Sequence, residues 1–148
     1  MTTEIKHIRI GYFDNFKGEN SILISADIEG LLELEDVFLK LANGLSSFDF
    51  LKLKLLDKKF HLKLTAFNDN ENIGLKQTSS GTYEWRMTKD KWNEFREKLT
   101  AMYRIGNGGH HYLDTDAADN NDLQVVFSWG EYSLTFWDKH ETDNRNAL

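Results

Sequence analysis

"SILISADIEGLLELEDVFLKLANGL", residues 21–45, changes its periodicity halfway along, and the fold turns on that change. Ile22, Ile24 and Ala26 alternate with period two, the mark of a half-buried strand. Beyond them Leu31, Leu34, Phe38, Leu41 and Leu45 recur every three or four positions, so the chain winds into a helix with one apolar stripe. Asp27 stands at the junction, where its carboxylate can accept the orphan amides of a first turn, and Gly44 lies near the stop. The spacing predicts a helix over about 28–43.

The same design returns in "TYEWRMTKDKWNEFREKLTAMYRIG", residues 82–106. Tyr83, Trp85 and Met87 alternate, Thr88 is the cap, and Trp92, Phe95, Leu99 and Met102 form the stripe of a helix over about 89–104 that Gly106 ends. An offset of 61 carries Ile22 to Tyr83, Asp27 to Thr88, Leu31 to Trp92 and Phe38 to Leu99, and it resumes after the helices by carrying Leu64 to Val125. Caps, stripes and flanking strands agree at one offset without gaps, which points to an internal repeat.

Further strands are expected near 5–13, 49–56, 60–67, 72–78, 110–114, 123–129 and 132–137, separated by turn signals such as Ser79-Ser80-Gly81. The expected fold is α+β: one domain over 1–148 with a large, mainly antiparallel sheet and two helices on one face. It is built from two pseudo-repeated ββαββ halves, 5–67 and 68–137, and ends in a polar tail, 138–148. The sheet's other face, carrying His61, Lys63, Thr65, Phe67, Glu84, Arg86, Gln124, Val126 and Ser128, is then left to solvent or a partner.

Composition narrows the function. The chain has no cysteine, which removes thiolate metal sites, cysteine nucleophiles and disulfides. No apolar run approaches the ~20 residues of a membrane helix, and Met1–His7 lacks the pattern of a secretory signal, so a cytoplasmic protein is expected, with no membrane partner. A net charge of −6 repels phosphate backbones, argues against nucleic acid and favours a basic partner. Five lysines between Lys52 and Lys63 are a local exception, explained by a solvated strand face.

"GNGGHHYLDTD", residues 106–116, holds the densest chemistry. Its glycines follow a helix C-terminus, the negative end of the macrodipole and the wrong end for a phosphate. In an extended "HHYLD", His110, Tyr112 and Asp114 face one way and His111 the other, so the two imidazoles cannot easily share an ion, and no zinc spacing links them to other histidines. The oxygen donors Asp114, Asp116 and Asp119–Asp122 fail the calcium-loop pattern at its glycine and its glutamate positions. A polar loop accounts for them. The first helix carries an acidic flank in which Glu29, Glu33 and Asp36 share an outer face, more acid than capping requires.

"DIEGLLELEDVFLKLANG" and "GGHHYLD", the latter followed by "DLQVVFSWGEY", resemble pieces of small bacterial immunity proteins that accompany polymorphic or contact-dependent toxins, in which an "EGL" helix and a "GHxxLD" strand recur. In this chain the two motifs lie in different halves. The resemblance implies stoichiometric binding of a cognate toxin, with no cofactor and no catalytic residues.

The expected function is therefore a non-enzymatic protein-binding module of the immunity type. It would cover a basic toxin domain with Glu29, Glu33 and Asp36 or with the segment around His111, Asp114 and Asp116. Two alternatives stand beside it. One is a metal- or small-ligand-binding enzyme centred on His110, His111 and Asp114; the other is a self-associating structural protein.

Overall fold

The computed structural model describes residues 7–16, 19–57, 62–106, 109–113, 123–130 and 137. Strands β1 (Ile8–Phe16) and β2 (Glu19–Ala26) form a hairpin that leads into α1 (Ile28–Ala42), and β3 (Ser47–Asp49) and β4 (Lys63–Asn68) follow. The second half repeats this order with β5 (Gly74–Ser79), β6 (Thr82–Met87), α2 (Lys89–Ile105), β7 (Gly109–Tyr112) and β8 (Gln124–Trp129).

Both helices end within a residue of the expected limits. Asp27 accepts a hydrogen bond from the Gly30 amide and Thr88 from the Lys91 amide, while Gly106 closes α2 at φ 78° in the left-handed region. The "GNGG" segment is thus a helix stop at its first glycine; residues 107 and 108 lie outside the described residues.

The α+β class holds, but the single large sheet is corrected to two four-stranded sheets. The first has the order β1-β2-β8-β7 and the second β3-β4-β6-β5. Each is a pair of antiparallel hairpins joined at its centre by one parallel pairing, β2 with β8 or β4 with β6. Each half of the chain therefore gives one hairpin to each sheet, so the halves are interleaved.

The central registers tie this to the offset of 61. One runs from Ser21–Gln124 to Ala26–Trp129 and the other from Lys63–Thr82 to Asn68–Met87. Moving 21–26 by 61 gives 82–87, and moving 63–68 gives 124–129, so one register maps onto the other without shift. That is the pairing an internal repeat about a twofold axis would produce.

The helices bridge the sheets. α1 leaves β2 in the first sheet and delivers the chain to β3 in the second; α2 leaves β6 in the second and returns to β7 in the first. They run antiparallel, because Phe38 stacks on Trp92 while Glu35, earlier in α1, accepts from the Thr100 hydroxyl later in α2. Their stripes, Leu31, Leu34, Phe38 and Leu41 against Trp92, Phe95, Leu99 and Met102, enter one core with the inward residues of both sheets. Trp85 lies at its centre, with ring contacts to Phe38, Phe50, Trp92 and Phe95. Where the sheets meet, Tyr12 stacks on Tyr83 and donates to Asp14; burial, then that bond, push its phenol up to about 12.

Gly30 is needed at the start of α1. A Cβ there would fall 2.4 Å from the His7 carbonyl oxygen and 2.7 Å from Ile8 Cγ1, so only glycine lets the chain entering β1 cross the first helical turn. His7 in turn accepts the Asp27 amide with its carbonyl and places its ring between the carboxylates of Asp27 and Glu29.

The strand expected over 49–56 is also corrected. β3 stops at Asp49, whose carboxylate accepts from the Leu51 amide, and Phe50–Lys52 form a 3₁₀ turn. The buried residues are Phe50, Leu53 and Leu56, a period of three in place of two. The Lys54 and Leu55 amides, free of a strand ladder, donate to the Glu33 carboxylate at 2.7 and 3.0 Å.

The outer faces of the two sheets differ. In the first sheet Leu23 and Val126 pack with Phe13 under Trp137, and Ser128 is buried as well. Val126 and Ser128 are thus covered, contrary to the open face expected for them. Gly11 makes room, since a Cβ on it would lie 2.7 Å from the Trp137 ring. In the second sheet the face stays open: Arg86 lies 4.2 Å from the Phe67 ring centroid and bridges Glu84 and Asp69, and Lys63 is exposed. The strand expected over 132–137, the residue His61 and the tail 138–148 lie outside the described residues, Trp137 apart.

Candidate functional site

The amphipathic winding of α1 turns its polar side away from both sheets, and the acidic residues there have separate fates. Glu29 and Asp36 are exposed, with side chains 65% and 57% accessible. Glu29 reaches His7 at 3.3 Å, and Asp36 pairs with Lys40 one turn on at 3.0 Å, an exposed contact worth little energetically. Glu33 does not share their freedom. Its two oxygens hold the Lys54 and Leu55 amides, which fixes the segment after β3 to α1. Glu35 is likewise spent on Thr100.

Between Glu29 and Asp36, and beyond them, stand Leu32 and Leu39, each about two fifths exposed. Their positions, seven apart and opposite the buried stripe, could have been read from the helical wheel. The exposed face of α1 is therefore a stripe of Glu29, Leu32, Asp36 and Leu39, with Lys40 paired to Asp36 at its end.

In β7 the alternation behaves as the sequence predicts. His110 and Tyr112 are exposed on one face with their rings edge to face, 5.7 Å apart. His111 points to the other side and pairs across the strand with Phe127. Burial, and next the positive charges of Lys98 and His110, lower the His111 pKa below 6.5. The Lys98 ammonium is held there by the Tyr112 carbonyl at 2.9 Å.

The two histidines thus diverge. Among the described residues no three His, Asp or Glu side chains converge in a way that could hold a metal ion. Asp114 and Asp116, the other members of that candidate segment, lie outside the described residues.

Because the folded state disfavours the charged imidazole, His111 adds no penalty above pH 6.5, and folding stability falls as pH drops from there through its lowered pKa. In an NMR titration the His111 ring protons should give a midpoint below 6.5; a midpoint above it would contradict the burial described.

Among the described residues no helix is long and apolar enough to cross a membrane. Comparison of the chain with family models, curated proteins and solved structures finds no match.

Proposed function

We propose that the protein is a non-enzymatic, cytoplasmic protein-binding module and, in its most concrete form, an immunity-type inhibitor of a basic bacterial toxin domain. The observation that supports this reading is the outer stripe of α1, where exposed Leu32 and Leu39 alternate with exposed Glu29 and Asp36. Leucines offer apolar area for a desolvated centre, and the carboxylates, in a chain of net charge −6, attract a basic partner and chiefly raise its on-rate.

The test begins at the neighbouring genes: a toxin domain encoded beside this one is expected, and its absence there would count against the reading. With that domain in hand, binding is measured directly. Coexpression should rescue growth, and the purified pair should bind with an association rate that falls as salt rises. Glu29→Lys with Asp36→Lys should slow association by roughly tenfold or more while the chain stays folded. Leu32→Asp with Leu39→Asp should chiefly speed dissociation. Glu33→Lys serves as the contrast: it strips two backbone amides of their acceptor and should lower stability by about 1–3 kcal/mol. Unchanged binding in both surface variants would remove α1 from the interface.

A further inference from the structure

The outer surface of the helix layer exposes apolar side chains on both helices: Leu32 and Leu39 on α1, and Ile105 (70%) beside the last turn of the α2 groove. Single exposed apolar residues are ordinary, but these lie on adjoining helices that turn the same side away from the sheets. The charges divide between the helices. On the outer side α1 presents Glu29 and Asp36 against Lys40, since Glu33 and Glu35 are bound within the chain, and α2 presents Arg96 and Arg104 against Glu97. A shallow groove on α2 is lined by Arg96, Glu97, Thr100, Ala101, Arg104 and Ile105.

We propose that this surface is a self-association face, in which two copies pack helix layer to helix layer about a twofold axis parallel to the helices, and α1 of each lies along the α2 groove of the other. Such an axis exchanges the α1 and α2 sides but leaves positions along the helices unchanged, so each α1 residue meets the α2 residue that is level with it in its own chain. The Glu35–Thr100 hydrogen bond at 2.7 Å fixes those levels.

Counting outward from that bond in opposite directions brings Glu29 to within two residues of the level of Arg104 and Lys40 to within two residues of the level of Glu97. Leu32 falls between Ala101 and Ile105. Opposite charges therefore meet near both ends, with apolar contact between them. A twofold axis across the helices would instead lay acidic α1 on acidic α1, an arrangement that like charges oppose.

This goes beyond the partner-binding reading and requires no second protein; a basic partner would compete with the second copy for α1. Sedimentation equilibrium of the full chain over a concentration series tests it. Twice the 17.2 kDa chain mass is expected at high concentration, with dissociation as salt is raised. Arg104→Glu and Glu29→Lys should each weaken the dimer about tenfold or more, and the two together should restore it, because the exchanged charges still meet.

Glu29 also touches His7, so circular dichroism checks the fold of each variant, and the pair Lys40→Glu with Glu97→Lys repeats the cycle away from that contact. A monomeric mass at every concentration overturns the proposal. So does a dimer that the single charge reversals leave unchanged, or one that the double reversal fails to restore. The toxin-binding test stays distinguishable because it is run at a concentration of this chain below that at which the mass doubles, where α1 is not occupied by a second copy.

Discussion

Cut between Asn68 and Asp69, the chain is expected to give two fragments that do not fold as monomers and that regain the native circular dichroism when mixed in equal amounts. Each sheet is closed at its centre by a pairing between the halves, β2 with β8 and β4 with β6. Alone, the first half retains two separate hairpins, and isolated hairpins are marginal in water. It also retains α1 with Leu31, Leu34, Phe38 and Leu41 bare, because their counterparts Trp92, Phe95 and Leu99 belong to the other fragment. A helix of 15 residues gains most of its stability from packing of that stripe, which is then missing. A first half that folded alone, as a monomer with a cooperative thermal transition, would show that the halves are independent units.

Asp57→Ala is expected to cost about 3–5 kcal/mol and to lower the melting temperature by on the order of 10 °C. Asp57 is nearly fully buried and receives the Arg9 side chain at 3.2 Å. Its amide donates to the Ile8 carbonyl and the Ile8 amide to Leu55, so the segment after the 3₁₀ turn is bound along the start of β1. Removing the carboxylate leaves a guanidinium that is only 16% exposed without that counter-ion. Replacing both partners by apolar residues, Arg9→Met with Asp57→Leu, should recover much of the loss, because the penalty lies in the stranded charge more than in the missing attraction. Thermal melts of the single and double variants check this. Equal destabilisation in both would mean that the pair contributes attraction beyond its desolvation cost.

The parts of this fold legible in the sequence are those set by local rules. The caps at Asp27 and Thr88, the stop at Gly106 and the two apolar stripes follow from backbone satisfaction and helical period, and the structure has them where those rules put them. The offset of 61 went further and anticipated a long-range property, since it relates the two central registers without shift. Alternation, however, states which residues of a strand face the core and is silent on which strand lies beside it. One continuous sheet and two interleaved sheets bury the same Ile22, Leu64, Tyr83 and Val125.

The remaining misreadings have local causes. "FLKLKLL" fits period two through Leu51, Leu53 and Leu55, but the structure buries Phe50, Leu53 and Leu56, and the amides that a ladder would have used go to Glu33. Asp57, a polar residue after an apolar run and so of the type that marks a turn, is instead buried and paired with Arg9, 48 positions away. Glu33 looked like its neighbours on the acidic flank because a wheel shows direction without showing what the carboxylate meets. The cover over Val126 had one signal, Gly11 within β1, where a missing side chain marks close approach of another group. For the candidate surface, Glu29 and Asp36 are legible as exposed acids and His110 and His111 as diverging rings; Leu32 and Leu39 are legible too, since they fall on the helical wheel opposite the apolar stripe.

The interleaving of the two halves is tested most directly by backbone NOEs across the centres of the sheets in the full-length protein. Contacts of Ile22–Ile24 with Val125–Phe127 and of Leu64–Ala66 with Tyr83–Trp85 are expected, in the parallel pattern. Contacts joining β2 to β4 within the first half, with β6 joined to β8 in the second, would contradict it.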